Sequence, residues 1–540
     1  MPNARTLPDL STLLRLVRGR EPAADTPHWA IIDLHGSYPT HHAHDLLESL
    51  LERTESFQSL TERLEQLARL DDVTGVLVRV VNLTAGLATC AAIGRALGRL
   101  QAKTRVVVYL PQVSMRSLLV AAGVREVVAP ESAEVMLPGL AAERVYYGEF
   151  LTRRGIGVEN LRIREYKTAL TRFSDDHMDE HEREQLSTYL ASAERSWLAA
   201  VARDAGAAGD VLDARFTSAA QLLAAGLITR IAYDDEIAVP VDQDWSRSLE
   251  LVRSQFARKR QAKKQDGIAV VPVVGAIVSG RSRPTPPVPL LAGPTAGSET
   301  VVAALRKAER DEHVKAVVLY VDSGGGSALA SDVIGRAVAR STKPVVAVMG
   351  EVAASGGYYV LVQARHVVAS AFTITGSIGV VVGKPVLRDL NARIGRNPEA
   401  VGREAALFGS ANTPFSDADR AWAERMMEEV YARFVTRVAA GRGLSRERVD
   451  ELGRGRIWSG ADALERGLVD ELGDLHAGIV AARRLAGLPD DAPVRSVSTG
   501  FALPGVPSFG RDPVGALVGA AWPFGEERVL TWYDPVVTIR

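Results

Sequence analysis

The chain has 540 residues, 46% hydrophobic and 24% charged, and its 64 basic and 65 acidic side chains leave a formal net charge of −1. That length exceeds one ordinary hydrophobic core and suggests about three to four domains, while the balanced charge gives no reason to expect nucleic acid as a partner. The single cysteine, Cys90, excludes a disulfide framework and a multi-cysteine metal site. Its Ala-rich helical surroundings make it a small core residue.

Residues 1–28 form an N-terminal extension whose apolar run is broken by Asp9, Arg15 and Arg18. A bilayer span needs about 20 mostly apolar residues and a secretory signal an unbroken run of about 7 to 15. Neither is expected here, and the chain reads as cytoplasmic or peripherally membrane-bound. Leu10, Leu13, Leu14 and Val17 fall at helical spacing, which suits a short helix docked on the protein's own body or on a membrane or partner. His41, His42 and His44 have metal-ligand spacing, but adjacent histidines in a polar turn are usually solvated, and no metal is expected.

From residue 29 the sequence WAIIDLHGSYP has a counterpart in IAVVPVVGAIV from residue 268. Four more blocks match: 75–81 with 316–322, 104–110 with 343–349, 124–129 with 364–369, and 216–228 with 458–469. Offsets of 239 to 242 across all five define an internal repeat. The chain therefore divides into two copies of one α/β domain, 29–244 and 267–486, with short β-branched runs alternating with helical stretches as in βαβ units. Residues 245–266, with Arg258, Lys259, Arg260, Lys263 and Lys264, read as a basic linker whose charged face meets solvent or anionic lipid. Residues 281–298 read as a loop, and the Pro- and Gly-rich tail, 487–540, carries no legible chemistry.

The second copy holds the chemistry. Residues 316–321 (AVVLYV) read as a buried strand leading into Asp322-Ser323-Gly324-Gly325-Gly326-Ser327, where glycines can aim backbone N–H groups into a cleft. A phosphate loop would also use such glycines, but no GKS or GKT follows. The strand-like residues 344–349 run into Ala353-Ala354-Ser355-Gly356-Gly357, which places a hydroxyl at a turn whose small neighbours admit a substrate backbone. Residues 375–379 (TGSIG) place a second hydroxyl, Ser377, 22 residues later.

Together SGGG before an ASD helix, AASGGYY, TGSIGV and GRIWSGADALERGLVDELG resemble the signal peptide peptidase A family of serine proteases in its double-length form. They cover most of residues 316–474, with Gly324 standing where that family usually has proline. The resemblance implies two tandem crotonase/ClpP-like domains and a serine endopeptidase acting on signal-peptide-like or unfolded peptides. It implies no cofactor, and a homo-oligomeric ring such as a tetramer. Ser355 would be the nucleophile, Ser377 would hold the base, and backbone N–H groups of Gly325 or Gly326 and of Gly356 would form the oxyanion hole. Two other readings share the fold: a crotonase-type acyl-CoA enzyme, which needs no nucleophilic serine, and a non-catalytic scaffold.

The base has to be found elsewhere. His366, the histidine nearest the motifs, aligns with Glu126 of the first copy at a strand entrance, where a structural role is expected. Arginine cannot serve as a base, whereas a buried lysine can, and the chain has only nine lysines. One of them, Lys167 in Glu165-Tyr166-Lys167-Thr168, looks like the family's YK motif. Superposing the copies puts Arg116 at the position of Ser355 and Ala406 or Leu407 at that of Lys167. Each copy lacks what the other keeps, so a single composite Ser-Lys site is expected, with the serine from the second copy and the lysine from the first.

Overall fold

The computed structural model describes residues 28–39, 55–70, 73–202, 211–237, 265–283, 294–497, 529–534 and 538–539. The N-terminal extension up to residue 27, His41, His42, His44, the linker through residue 264 and residues 284–293 lie outside the described residues.

The first copy builds a five-stranded parallel sheet in the order His28–Gly36, Val73–Leu83, Arg105–Tyr109, Glu126–Ala129, Arg230–Ile231. Its central strands are covered on both faces, so they read as continuous rather than alternating apolar runs. Val76, Leu77 and Val78 are all buried in succession. The second copy repeats the order with Gly267–Val274, Val314–Ser323, Val345–Ala354, His366–Ala369 and Glu471–Leu472, again all parallel. The repeat legible in the sequence is thus a repeat of strand order, in an α/β fold of βαβ units. Two short strands, Ile374–Gly376 and Ile457–Ser459, extend this sheet beside the far end of Val345–Ala354.

The tail from residue 487, in which the sequence shows no legible chemistry, contains short strands. Val494–Ser496 adds an edge strand to Gly267–Val274, and Val529–Trp532 and Thr538–Ile539 form strands further on. Pieces of two to four residues are too short to show a period-2 pattern, and for that reason they escape a reading based on periodicity. Residues 367–383, a long uncharged run, resolve into buried strands and turns. No helix among the described residues is long and apolar enough to cross a membrane.

The two halves share a core. One apolar cluster runs from Ile32, Leu97 and Trp197 of the first half to Val318, Val346, Val348 and Phe372 of the second. A six-stranded sheet also combines them, in the order Thr295–Gly297, Ala276–Val278, Gly325–Ser327, Val529–Trp532, Val381–Val386, Gly157–Arg162, with only the last strand from the first half. Polar contacts fix the docking. The helix Leu87–Gln101 begins at Gly86, which has no side chain to cap it. Glu351 of the second half supplies the cap, accepting from the amides of Ala88 at 3.2 Å and Thr89 at 2.7 Å, where the helix dipole favours a negative charge. Arg95 of the same helix bonds the buried Asp474 carboxylate at 2.9 Å. A shared core means that neither half can bury its apolar surface alone. Fragments 1–250 and 260–540 expressed separately should expose dye-binding apolar surface, and co-expression should suppress it. A monodisperse second half that binds no dye would contradict the shared core.

Candidate active site

The strand Val345–Ala354 ends at Ser355, which starts the short helix Gly356–Leu361. Ser355 has φ 54° and ψ −117°, a conformation that costs a non-glycine residue about 1–3 kcal/mol and persists only where its surroundings enforce it. Here its N–H donates to Gly376 O at 2.8 Å, while its carbonyl accepts from Tyr359 N–H at 2.8 Å. The glycines that follow are required by packing. A Cβ on Gly357 would lie 2.2 Å from Ser323 O, and one on Gly356 2.5 Å from Ser331 Oγ.

Lys167 arrives from the other half. The strand Gly157–Arg162 pairs antiparallel with Val381–Val386, and the ladder continues as Ile163 N–H donates to Val380 O at 3.1 Å. The next turn carries Lys167 into the second half's cleft. Its Nζ lies 2.7 Å from Ser355 Oγ and donates to Ser377 Oγ at 3.0 Å and to Ser377 O at 3.1 Å. Ser377 is itself held at φ 49°, its N–H donating to Arg456 O at 2.7 Å. The three side chains are closed off from solvent, with exposures of 0% for Ser355, 1% for Lys167 and 1% for Ser377. Burial alone drives the Lys167 amine well below its ordinary value. An amine whose charged form is disfavoured by burial, with two of its bonds directed at Ser377, is within reach of a hydroxyl proton 2.7 Å away.

The structure therefore brings Ser355, Lys167 and Ser377 together, although 188 residues separate the first two in sequence. Gly325 and Gly356 also meet, since a Cβ on Gly325 would fall 2.4 Å from Gly356 N. The Gly356 amide, at the first position of a helix, has no intrahelical partner. The Gly325 amide donates to Ser323 Oγ at 3.0 Å, and Gly326 stands opposite Thr531 in an antiparallel strand pair. His366 is where the sequence put it, at a strand entrance, with Nε2 2.8 Å from Glu471. Cys90 is a buried helix residue whose thiol is pushed upward by burial. Arg116, at the serine position of the first half, donates to Ala85 O at 3.1 Å and to Ile539 O at 3.1 Å.

Two carboxyl groups escaped the sequence reading. Glu351 sits four residues before Ser355 and caps the first half's helix, and Asp322 opens the glycine loop and accepts from Val352 N–H at 3.1 Å. Burial and, second, the Glu351 charge push Asp322 up to about 7. Neither residue belongs to a motif, and nothing in the sequence pairs them.

A family model for "Peptidase family S49" matches residues 98–243 and 337–489, more than half of the chain. The chain belongs to peptidase family S49. The family's signal peptide peptidase A branch is where its relatives lie. It is 29% identical to the chloroplastic serine protease SPPA of Arabidopsis thaliana over 82% of this chain and 68% of that one. It is 28% identical to Protease 4 of Haemophilus influenzae over 73% of this chain and 66% of that one. It thus spans about two thirds of each relative. ClpP1 from Listeria monocytogenes superposes on 41% of this S49 chain and 99% of its own, at 12% identity and a TM-score of 0.25. As an S49 member the chain is a serine-type peptidase.

The Lys167 backbone packs against Gly455, where a Cβ would come within 2.5 Å of Lys167 N and the φ of +87° already disfavours a side chain. Gly455→Ala should push the amine off Ser355 and lower turnover by about 100-fold, the usual cost of a displacement near 1 Å. Unchanged turnover in a steady-state peptide assay would contradict the packing. Asp322 gives a prediction for stability. Its folded value of about 7 lies above its unfolded one, so the folded chain binds the extra proton and loses stability as pH rises from about 4 to 7. Asp322→Asn should remove that loss, so its denaturation midpoint should gain on the wild type across this window. Parallel pH profiles would refute the assignment.

Proposed function

We propose that this peptidase is an endopeptidase cleaving signal-peptide-like or unfolded peptides through an acyl-enzyme on Ser355, with Lys167 as general base. The observation that carries the reading is the 2.7 Å approach of a buried amine from one half to the strained serine of the other. Ser355 Oγ attacks the scissile carbonyl while Lys167 Nζ takes its proton. The oxyanion that forms is met by the Gly356 amide and by a second amide, from Gly325 or Gly326, whose present partners are Ser323 Oγ and the strand opposite. Collapse returns the proton from the lysine ammonium to the leaving amine. A water then enters and attacks the acyl carbon while Lys167 Nζ takes its proton, and as the bond to Ser355 Oγ breaks and the acid leaves, the lysine returns that proton to Ser355 Oγ.

Ser377 is the positioning residue. Its hydroxyl and carbonyl take two of the amine's bonds, which leaves the lone pair for Ser355. Among the described residues no carboxylate bonds the lysine, and burial lowers its pKa. Loss of one half's contribution leaves the other inert, consistent with Arg116 in place of a serine in the first half.

Ser355→Ala should fold normally and lose about 10³-fold or more in turnover, the cost of deleting a covalent nucleophile. Lys167→Arg keeps the charge but cannot accept a proton at working pH, so it should fall as far as Lys167→Ala. In the wild type, turnover should rise with pH as the amine loses its proton and level off well below the ordinary lysine range. Peptide hydrolysis and labelling by a serine-directed fluorophosphonate read both. An arginine variant with most of its activity would make Lys167 an electrostatic group only, and the absence of labelling at Ser355 would favour an acyl-CoA enzyme without a nucleophile.

A further inference from the structure

The cleft that holds Ser355 is not empty. Val529–Trp532 lies between Gly325–Ser327 and Val381–Val386, antiparallel to both, with Gly326 opposite Thr531 and Val381 opposite Leu530. Tyr533 N–H extends the ladder to Gly324 O at 2.6 Å. This segment covers the two glycines beside the serine. A Cβ on Gly325 would be 2.2 Å from Thr531 O, and one on Gly356 would be 2.7 Å from the same oxygen. Any peptide presenting a carbonyl to Ser355 has to occupy this space.

The first half repeats the arrangement. Thr538–Ile539 pairs antiparallel with Ala142–Glu143, 239 positions before residues 381–382. Arg116, at the serine position, holds Ile539 O. The same end of the chain thus adds a strand in both halves at equivalent places, which makes strand acceptance a property of the repeated unit rather than an accident of one loop.

The segment is anchored, but not fully satisfied. Asp534 is buried against Arg144 and Arg172, each at 3.3 Å, and Arg144 also pairs with Glu182 at 3.0 Å and donates to Thr168 O, next to Lys167. Yet the buried hydroxyl of Tyr533 has no hydrogen-bond partner among the described residues. A buried hydroxyl left unpaired weakens the seat, so the segment is well placed and displaceable.

Building on the peptidase reading above, we propose that the slot between Gly325–Ser327 and Val381–Val386 binds extended peptide backbone, and that residues 529–534 are its intramolecular occupant, which a substrate must displace. The occupant lowers the open fraction and raises the apparent KM by the inverse of that fraction. It also keeps the strained serine and its neutral amine away from water until a strand of comparable affinity arrives.

The test is a reversible lock. Val381→Cys with Leu530→Cys in the full chain places two thiols on a cross-strand pair, and Cys90, the only other cysteine, is buried. Oxidised and reduced forms are compared by fluorophosphonate labelling of Ser355 and by cleavage of the oxidised insulin B chain. The oxidised form should be slower in both by about tenfold or more, with recovery on reduction, since closing the lock removes the open population. Equal labelling in the two forms overturns the proposal. Labelling that depends on the lock, without cleavage in either form, keeps the occupant and refutes the peptidase reading. The unmodified chain gives an independent measurement: hydrogen exchange of the amides at 529–533 should quicken when Ser355→Ala protein is saturated with the B chain, and unchanged exchange overturns the proposal.

Discussion

The proposed chemistry depends on one amine being held without water. A lysine side chain keeps its proton at neutral pH unless it is desolvated, and an ammonium cannot activate a hydroxyl. Burying Lys167 is possible only because the two halves close over it, with Gly379 and Gly455 admitting its stem and backbone and Ser377 taking two of its bonds. The shared apolar cluster and the strand pairing between Gly157–Arg162 and Val381–Val386 are what make the closure. The two halves thus bring Lys167 and Ser355 together at their interface, which is the catalytic environment of the proposed mechanism.

The same constraint explains the distribution of strain and charge around the serine. Ser355 and Ser377 both have positive φ, each tied through its N–H to a carbonyl of a neighbouring strand or turn. Glu351, in the strand that ends at Ser355, reaches across to cap a helix of the first half. The strand that leads into Ser355 is therefore also a docking element, and the Asp322 carboxyl beside it is pushed toward neutrality by burial and that same charge. Packing the halves and aiming the serine are done by the same few residues.

The sequence made visible what depends on period and on motif. The repeat offset gave the common strand order, and AASGG, TGSIG and the glycine loop marked Ser355, Ser377 and Gly325 because tight turns admit few residue types. The lysine was legible only in combination, since Lys167 alone resembles any charged loop residue and gained meaning from Arg116 and Ala406 or Leu407 at the complementary positions. Contacts between distant segments left no such trace. The Glu351 cap and the strands at 494–496 and 529–532 depend on three-dimensional neighbours, and a two- to four-residue strand has no pattern to read. The tail, which looked without chemistry, is the segment that lies across the site.

The most direct test of the central claim is to titrate the lysines themselves. With nine lysines in the chain, the side-chain carbon next to each amine can be followed by NMR as pH is raised, with Lys167→Met to identify one signal. A buried, neutral base requires the signal lost in Lys167→Met to titrate well below the ordinary lysine range while solvent-exposed lysines titrate within it. If the Lys167 signal titrates with the exposed lysines, the amine is charged at neutral pH and the Ser-Lys reading of this site is wrong.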